Sequence, residues 1–374
     1  MNFELSAEQQ MLKDSVERFV ADHYNLEQRQ GYTRLKGGFN KERWQDMADL
    51  GWIGLAFSEA DGGFGGSAID VMLLMEAFGQ GLMVEPYLAT AILGGGLIAR
   101  AGSEAQKTEI LPGVIEGRTH LALAFSEIES RFDLDHVATR ATASDDQLVI
   151  NGQKSMVIHG GTADHLLVSV RTDGAQTDQH GITLVRVDAG TDGVKITGFP
   201  TVDGLQAAEI TFTDVSVPQS HILGKMNEGY AALETAVMYG ILAVSAEAVG
   251  AMEMLYKDTT AYIQEREQFD HPLAEFQVLR HRMVDMFMEY EQAKSLLYRA
   301  TLEVDQQGVA AMRTVHALKH FVGKTGISIG EAAVQSHGGM GVTEELRIGH
   351  FFKRLLVIDA LFGNSDHHLA LFAA

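Results

Sequence analysis

Val334-Gln-Ser-His-Gly-Gly-Met-Gly-Val-Thr-Glu-Glu-Leu346, a helical segment, and then Leu361-Phe-Gly-Asn-Ser-Asp-His-His368 place a glycine-rich break between two helical patterns and a second glycine turn about one helix later. Glycines in such a break let backbone N–H groups turn toward an anionic ligand, and helix N-termini add favourable dipoles. A helix C-cap followed by a turn is the simpler account of the same residues. The remainder of the chain decides between them.

At 374 residues the chain is long enough for two or three structural units with large cores. Apolar residues make up 46% and there are only 5 Pro, with abundant Ala, Leu and Met, which favours helices over an all-β fold. A net charge of −21 argues against nucleic acid or an anionic membrane as partner. An anionic ligand must then be met by local Arg side chains or backbone amides. With no Cys, disulfides, thiolate metal sites and Cys nucleophiles are excluded. The start has no basic stretch and apolar core of a signal peptide, and the longest apolar run, 239–254, is broken by Glu247 and Glu253. A buried helix is therefore expected there rather than a membrane span, and the cytoplasm is the expected compartment.

Three sections follow one another. Over residues 1–117 the pattern is helical: Ser6 and Gln9 form a capping box, with Met11, Leu12, Val16, Phe19 and Val20 on one face. Asn40 caps a helix carrying Trp44, Met47 and Leu50, Pro86 suits a helix first turn, and Ser103 with Gln106 is a second capping box. Over 118–224 the period alternates, with strands expected at 121–125, 137–142, 147–150, 166–171, 182–187 and 208–212. Turns such as Asn151-Gly152, Asp173-Gly174 and Asp192-Gly193 separate them, which suggests an antiparallel β domain. Over 225–374 the helical period returns, with long helices expected at 228–265, 275–306 and 309–334 that suit a four-helix arrangement with the last segment. The fold class is α+β, mostly α.

Ala124-Phe-Ser-Glu127, Leu148-Val-Ile-Asn-Gly-Gln-Lys154, His159-Gly-Gly161 and Arg266-Glu-Gln-Phe269 with Phe276-Gln277, in that order, resemble the acyl-CoA dehydrogenase family along essentially the whole chain. The resemblance implies FAD as cofactor, an acyl-CoA substrate, electron-transfer flavoprotein as electron acceptor and a tetramer. Phe125 and Ser126 correspond to the strand end that meets the flavin, and Met156 and Ile158 to its wall. Arg266, Phe269, Gln277, Gln335, Gly338 and Gly339 correspond to a set that reaches across a dimer to the neighbour's FAD, and Asn364 belongs to the last glycine turn. The opening Met1-Asn-Phe-Glu-Leu5, Glu85-Pro-Tyr-Leu-Ala-Thr90 and the tail Ile358-Asp-Ala-Leu-Phe-Gly363 are further similar to small subunits of pimeloyl-CoA dehydrogenases. That likeness implies a dicarboxylyl- or other unusual acyl-CoA.

In that family a carboxylate removes the α-proton of the acyl-CoA while flavin N5 accepts a hydride from the β-carbon. The base is needed because the α-proton is poorly acidic. Here Phe362 stands where the family's Glu is expected, and a phenyl ring takes no proton. The alternative base position, on the long helix, corresponds to Gly240 followed by Ile241; Glu234 and Glu247 lie nearly two turns away. Asp359 and Asp366 are the candidate substitutes. Met156 and Ile158 replace the family's Trp and Thr against the flavin, and a lost hydrogen bond there costs about 1–3 kcal/mol. The residues serving a neighbour's flavin are intact while those serving this chain's own have eroded. That asymmetry predicts a subunit pairing with a homologous, Glu-bearing chain, a self-sufficient dehydrogenase using Asp359 or Asp366 and a non-catalytic scaffold being the alternatives. Arg131 could meet a substrate carboxylate or pair with Asp133 or Asp135. A metal site is not expected from the His residues, since no His-Glu-x-x-His is present and the adjacent His367 and His368 point about 100° apart on a helix.

Overall fold

In the computed structural model, which describes residues 4–374, Ser6 opens helix α1 (Ala7–His23) with the expected capping box. Val16 and Val20 are buried, whereas Met11, expected on the same face, is 73% exposed. Helix α2 (Leu26–Thr33) follows, then α3 (Lys41–Asp49), whose first turn is capped by the Asn40 side chain. Ser67 and Asp70 cap α4 (Ala68–Gly81) reciprocally. After Pro86 the helix over Leu88–Gly95 has the wider π winding, which sequence periodicity does not anticipate, and runs into α5 (Gly96–Ala101). The Ser103–Gln106 box caps α6 (Glu104–Ile115). Residues Met1 to Phe3, part of the resemblance to the pimeloyl-CoA enzymes, lie outside the described residues.

One eight-stranded sheet follows: β1 (Leu121–Ala124), β2 (Arg140–Ser144), β3 (Gln147–Ile158), β4 (His165–Arg171), β5 (Ile182–Asp188), β6 (Val194–Pro200), β7 (Gln206–Pro218) and β8 (Ile222–Leu223). The order is β6-β7-β3-β2-β4-β5-β8, with β1 added beside β4. The sheet is mixed rather than purely antiparallel, because β1 pairs parallel to β4 and β2 touches β4 in parallel at Arg140 and Arg171. All four residues of β1 are buried, the continuous apolar run typical of a strand paired in parallel. Asn151-Gly152 is not a turn. It lies inside β3 at a register shift against β7, and a Cβ on Gly152 would come within 2.6 Å of Thr139. The β6 strand escaped prediction because most of its residues are at least partly exposed.

The helical period then resumes in α7 (Tyr230–Glu265), a short hairpin of β9 (Glu267–Gln268) and β10 (His271–Pro272), and helices α8 (Gln277–Gln307), α9 (Met312–His337), α10 (Arg347–Ala360) and α11 (Ser365–Ala373). Two compact units interleave the sequence. One holds the chain through Gly31, Ser67–Met83 and Ile241–Ala374; the other holds Tyr32–Gly66 and Val84–Gly240. In the first, α4 and α7 meet backbone to backbone: a Cβ on Gly79 would lie 1.9 Å from the Glu247 carbonyl oxygen, and one on Gly250 1.9 Å from that of Glu76. Any side chain at either position would force the helices apart. Glu247 is buried beside that crossing and held by both arms of Arg354 at 2.5 and 2.6 Å. Among the described residues one helix, α7, is long and apolar enough to cross a membrane; its apolar window is buried, as in a core helix.

Candidate functional site

In the β-rich unit the end of β1 is fixed from inside. Lys154, fully buried on β3, donates to Glu127 Oε1 at 2.7 Å, to Ser169 Oγ at 3.0 Å and to the Phe125 carbonyl at 3.2 Å. Burial pushes the Lys154 ammonium down to about 8. Burial alone would raise Glu127, but Lys154 and the backbone N–H groups of Thr139 and Ala138 hold it below the usual carboxylate range. The Ser155 N–H donates to the Ser126 carbonyl at 2.9 Å, so Phe125 and Ser126, both half-buried, are set from two sides.

A bulge between Lys154 and Val157 lifts Met156 out of the ladder, with φ 52 and 44% of its surface exposed. Ile158 rejoins the ladder opposite Ala207. Bulges of this kind re-aim side chains beside functional sites. The result is an exposed thioether wall next to a strand end that carries one hydroxyl, Ser126. Such a wall accepts the flat face of a conjugated ring, but neither Met156 nor Ile158 offers the ring edge a hydrogen bond. Glu209, which sequence reasoning passed over, sits beside it: its Oε1 accepts from Ser155 Oγ at 2.7 Å and from the Met156 N–H at 3.4 Å. Its position across β7 is a product of register, which no local signal announces.

In the helical unit the ends of α7, α8 and α9 converge. Tyr262 stacks on His337 with centroids 4.2 Å apart, and Arg282 reaches Ser336 at 3.5 Å. The Leu273 N–H closes back on the Arg266 carbonyl at 2.8 Å. This brings Arg266, Phe269, Gln277, Gln335, Gly338 and Gly339 to one end of the bundle, all of them exposed. Phe269 and Asp270 form the two-residue loop of the β9–β10 hairpin with φ 57 and 64, the left-handed pair of a type I′ turn. Phe269 is 84% exposed at its tip. Among the described residues no hydrogen bond or ion pair engages the Arg266, Gln277 or Gln335 side chains. Donors left unspent in this way can hold an anionic or amide-bearing group brought from outside.

Phe362 lies elsewhere. It occupies the turn between α10 and α11, half-buried and with φ 60. Lys319, on the N-terminal half of α9, serves this turn; sixteen residues separate it from Gln335, or about 24 Å along the helix. Asp359 Oδ1 accepts from the Ser365 N–H at 3.0 Å, and Asn364 caps α11 through the His367 N–H at 2.9 Å. Asp366 is exposed in the first turn of α11. On α7, Gly240 is buried, Glu234 accepts from the Tyr230 hydroxyl at 3.4 Å, and Glu247 is committed to Arg354. Arg131 is exposed with φ 49, and among the described residues no ion pair joins it to Asp133 or Asp135. No group of three or more His, Asp or Glu among the described residues is arranged to hold a metal ion.

Family models described as the N-terminal, middle and C-terminal domains of acyl-CoA dehydrogenase match residues 6–118, 122–215 and 227–374. A probable acyl-CoA dehydrogenase, YngJ, of Bacillus subtilis (strain 168) is 28% identical over 375 residues, covering 98% of this chain and 97% of its own. The structure of butyryl-CoA dehydrogenase from Megasphaera elsdenii matches with a TM-score of 0.91 at 26% identity, over 100% of this chain and 99% of that one. A chain of the ChsE4–ChsE5 complex from Mycobacterium tuberculosis matches with a TM-score of 0.91 over 100% and 98% of the two chains; at 23% identity that likeness speaks for the fold alone.

Proposed function

The chain belongs to the acyl-CoA dehydrogenase family, an FAD-dependent oxidoreductase family, and from that membership we propose that it is one subunit of a heteromeric enzyme dehydrogenating a dicarboxylyl- or other unusual acyl-CoA at its α,β-bond. The partner is a homologous chain that carries the Glu base and the complete flavin wall. This chain contributes Arg266, Phe269, Gln277, Gln335 and the Gly338–Gly339 backbone to the partner's FAD. Its own base position holds Phe362. The assembly is a tetramer in the cytoplasm that passes electrons to an electron-transfer flavoprotein, and the modules are 1–117, 118–224 and 225–374. The matched chain of the ChsE4–ChsE5 complex comes from an assembly named for two components, the kind of arrangement proposed here.

One observation carries it. The hairpin end leaves Arg266, Gln277 and Gln335 exposed and, among the described residues, without a side-chain hydrogen bond or ion pair, with Phe269 84% exposed on the hairpin, while the side chain at 362 is a phenyl ring that accepts no proton. Phe269 packs edge-on against Phe276, with centroids 6.3 Å apart, and leaves most of its ring for an intermolecular contact to bury. Arg266 supplies a fixed charge for a phosphate, Phe269 a ring to lie against, and Gln335 an amide.

The visible spectrum and bound-FAD count of the purified chain test this. The expected result is a colourless chain alone and a yellow complex when it is co-expressed with the homologous partner. About one FAD per chain in the isolated protein overturns the proposal. Asp359 or Asp366 would then be the proposed base, and Asp359→Asn or Asp366→Asn should abolish substrate-dependent bleaching. A partner equally active without this chain would instead identify a scaffold.

A further inference from the structure

Four carbonyls around the Phe362 turn are each claimed by a side chain. Lys319 Nζ donates to those of Asp359 and Gly363 at 2.8 and 2.7 Å. His368 Nε2 lies 3.0 Å from the Phe362 oxygen, and His320 Nδ1 2.9 Å from that of Ser365. A carbonyl only accepts, so His368 carries a proton on Nε2 and His320 on Nδ1. Burial first, and then Lys319, hold His368 neutral by pushing it down to about 3. Its Nδ1 is therefore an acceptor, and His316 Nδ1, 2.9 Å away, is the donor. The result is a directed relay from His316 through His368 to the Phe362 carbonyl.

Lys319 is fully buried. An ammonium without water is costly to keep, and a Met or Leu would fill this part of α9 without that cost. Phe362, meanwhile, holds a left-handed backbone worth roughly 1–2 kcal/mol of strain for a residue with a side chain. Such a conformation persists only where its surroundings over-determine it. The ammonium bridges the carbonyls on either side of Phe362, and the relay takes the carbonyl of Phe362 itself.

We infer that Lys319 is a positioning residue, which together with the His316–His368 relay clamps the turn and fixes the direction of whatever side chain stands at 362. That this side chain faces an acyl thioester rests on the proposed function; the clamp does not. The phenyl ring is then a fixed wall of the acyl site rather than a mobile plug.

Backbone hydrogen exchange of the full chain, with acyl-CoA affinity and FAD content of the co-expressed complex, tests this. In Lys319→Met, exchange over residues 361–366 should rise at least tenfold while that of α7 is unchanged. Pimeloyl-CoA affinity should fall about tenfold at constant FAD content, and Lys319→Arg, which can still donate to both carbonyls, should restore both. Unchanged exchange, or an equal rise throughout the helical unit, would overturn the clamp. A local rise with unchanged affinity would leave the clamp standing and count against the assignment of residue 362 to the acyl site. Should Lys319→Met fail to fold, His368→Ala removes only the central partner. It should loosen the same segment at least threefold, and no change there would sink the proposal.

Discussion

Phe269 and Phe362 share a left-handed backbone, φ 57 and 60, yet stand in opposite settings at the two ends of one helix bundle. Phe269 projects from a two-residue hairpin loop, edge-on to Phe276 with centroids 6.3 Å apart, near an Arg266 side chain that no hydrogen bond or ion pair engages among the described residues. Phe362 sits on a turn whose carbonyls are claimed by Lys319, His368 and His320. The same local cost is thus carried in two ways. At the hairpin the backbone is held by the turn, by the Leu273 N–H on the Arg266 carbonyl and by the edge-on Phe269–Phe276 contact, and in the proposed function the rest of its return comes from a partner. At the 362 turn the return is internal, through the buried Lys319 and His368 and the half-buried His320. A site that acts outward is left unfinished, and one that acts inward is completed by its own chain.

The inward end should be the more sensitive to pH. His368 is pushed from 6.5 down to about 3, so the unfolded chain binds a proton that the native chain refuses between those values. Its contribution is fully present above pH 6.5 and is lost as pH falls toward 3, on the order of 4 kcal/mol. His368→Gln, which keeps an N–H for the Phe362 carbonyl, should flatten denaturation midpoints over that window. Some acid sensitivity should remain, because burial also lowers His120, His221, His316 and His350. A variant with the wild-type acid slope would break the picture of a buried, neutral relay.

Lys319 gives the alkaline counterpart, a little smaller. Burial lowers it from 10.5 to about 8, against the smaller opposing pull of Asp359. Between those values the unfolded chain holds the proton and the native one releases it, so stability rises from pH 8 toward 10.5, by up to about 3 kcal/mol. Lys154 contributes in the same direction. Urea midpoints measured across this range should climb less steeply in Lys319→Met than in the wild type; parallel curves would mean that Lys319 is not desolvated.

The outward end should answer to a partner instead. Arg266→Ala combined with Phe269→Ala should leave the melting temperature of the isolated chain within a degree or two, since both residues are exposed and, among the described residues, their side chains make no ion pair or hydrogen bond and only the edge-on Phe269–Phe276 contact is lost. In the co-expressed complex the same pair should weaken FAD retention roughly a hundredfold, the loss expected from a charge-assisted bond and an aromatic contact together. Unchanged retention would dissolve the contrast between the two ends.

The contrast was only half legible in the sequence. Capping boxes at Ser6 and Ser103, the cap at Asn40 and the long helices are local signals that folding preserved. Arg266, Phe269 and Gln277 lie close together in the chain, so their pattern could be read directly; Gln335 was matched to the same set by resemblance, and the Tyr262–His337 stack is what brings its end of α9 beside them. The phenyl at 362 was plain, but its clamp was not, because Lys319 comes from α9 and looks there like any solvated helical lysine. Asn151-Gly152 misled for a related reason. A dipeptide that commonly turns a hairpin was absorbed as a register shift, since β7 continues to pair on both sides of it.

The smallest expected effect concerns the second residue of the hairpin loop. Asp270 has φ 64, in a position where a type I′ turn favours Gly. Asp270→Gly removes a left-handed cost of about 1 kcal/mol, but it also gives the unfolded hairpin more freedom, worth about 0.5–1 kcal/mol. The two nearly cancel, so FAD dissociation from the co-expressed complex should change less than about threefold. If the hairpin's own conformational preference, rather than the Phe269 and Arg266 contacts, governed flavin retention, this substitution would move the rate tenfold or more. A small response leaves the contacts in charge, and places the cost of the exposed end in the side chain it offers rather than in the backbone that offers it.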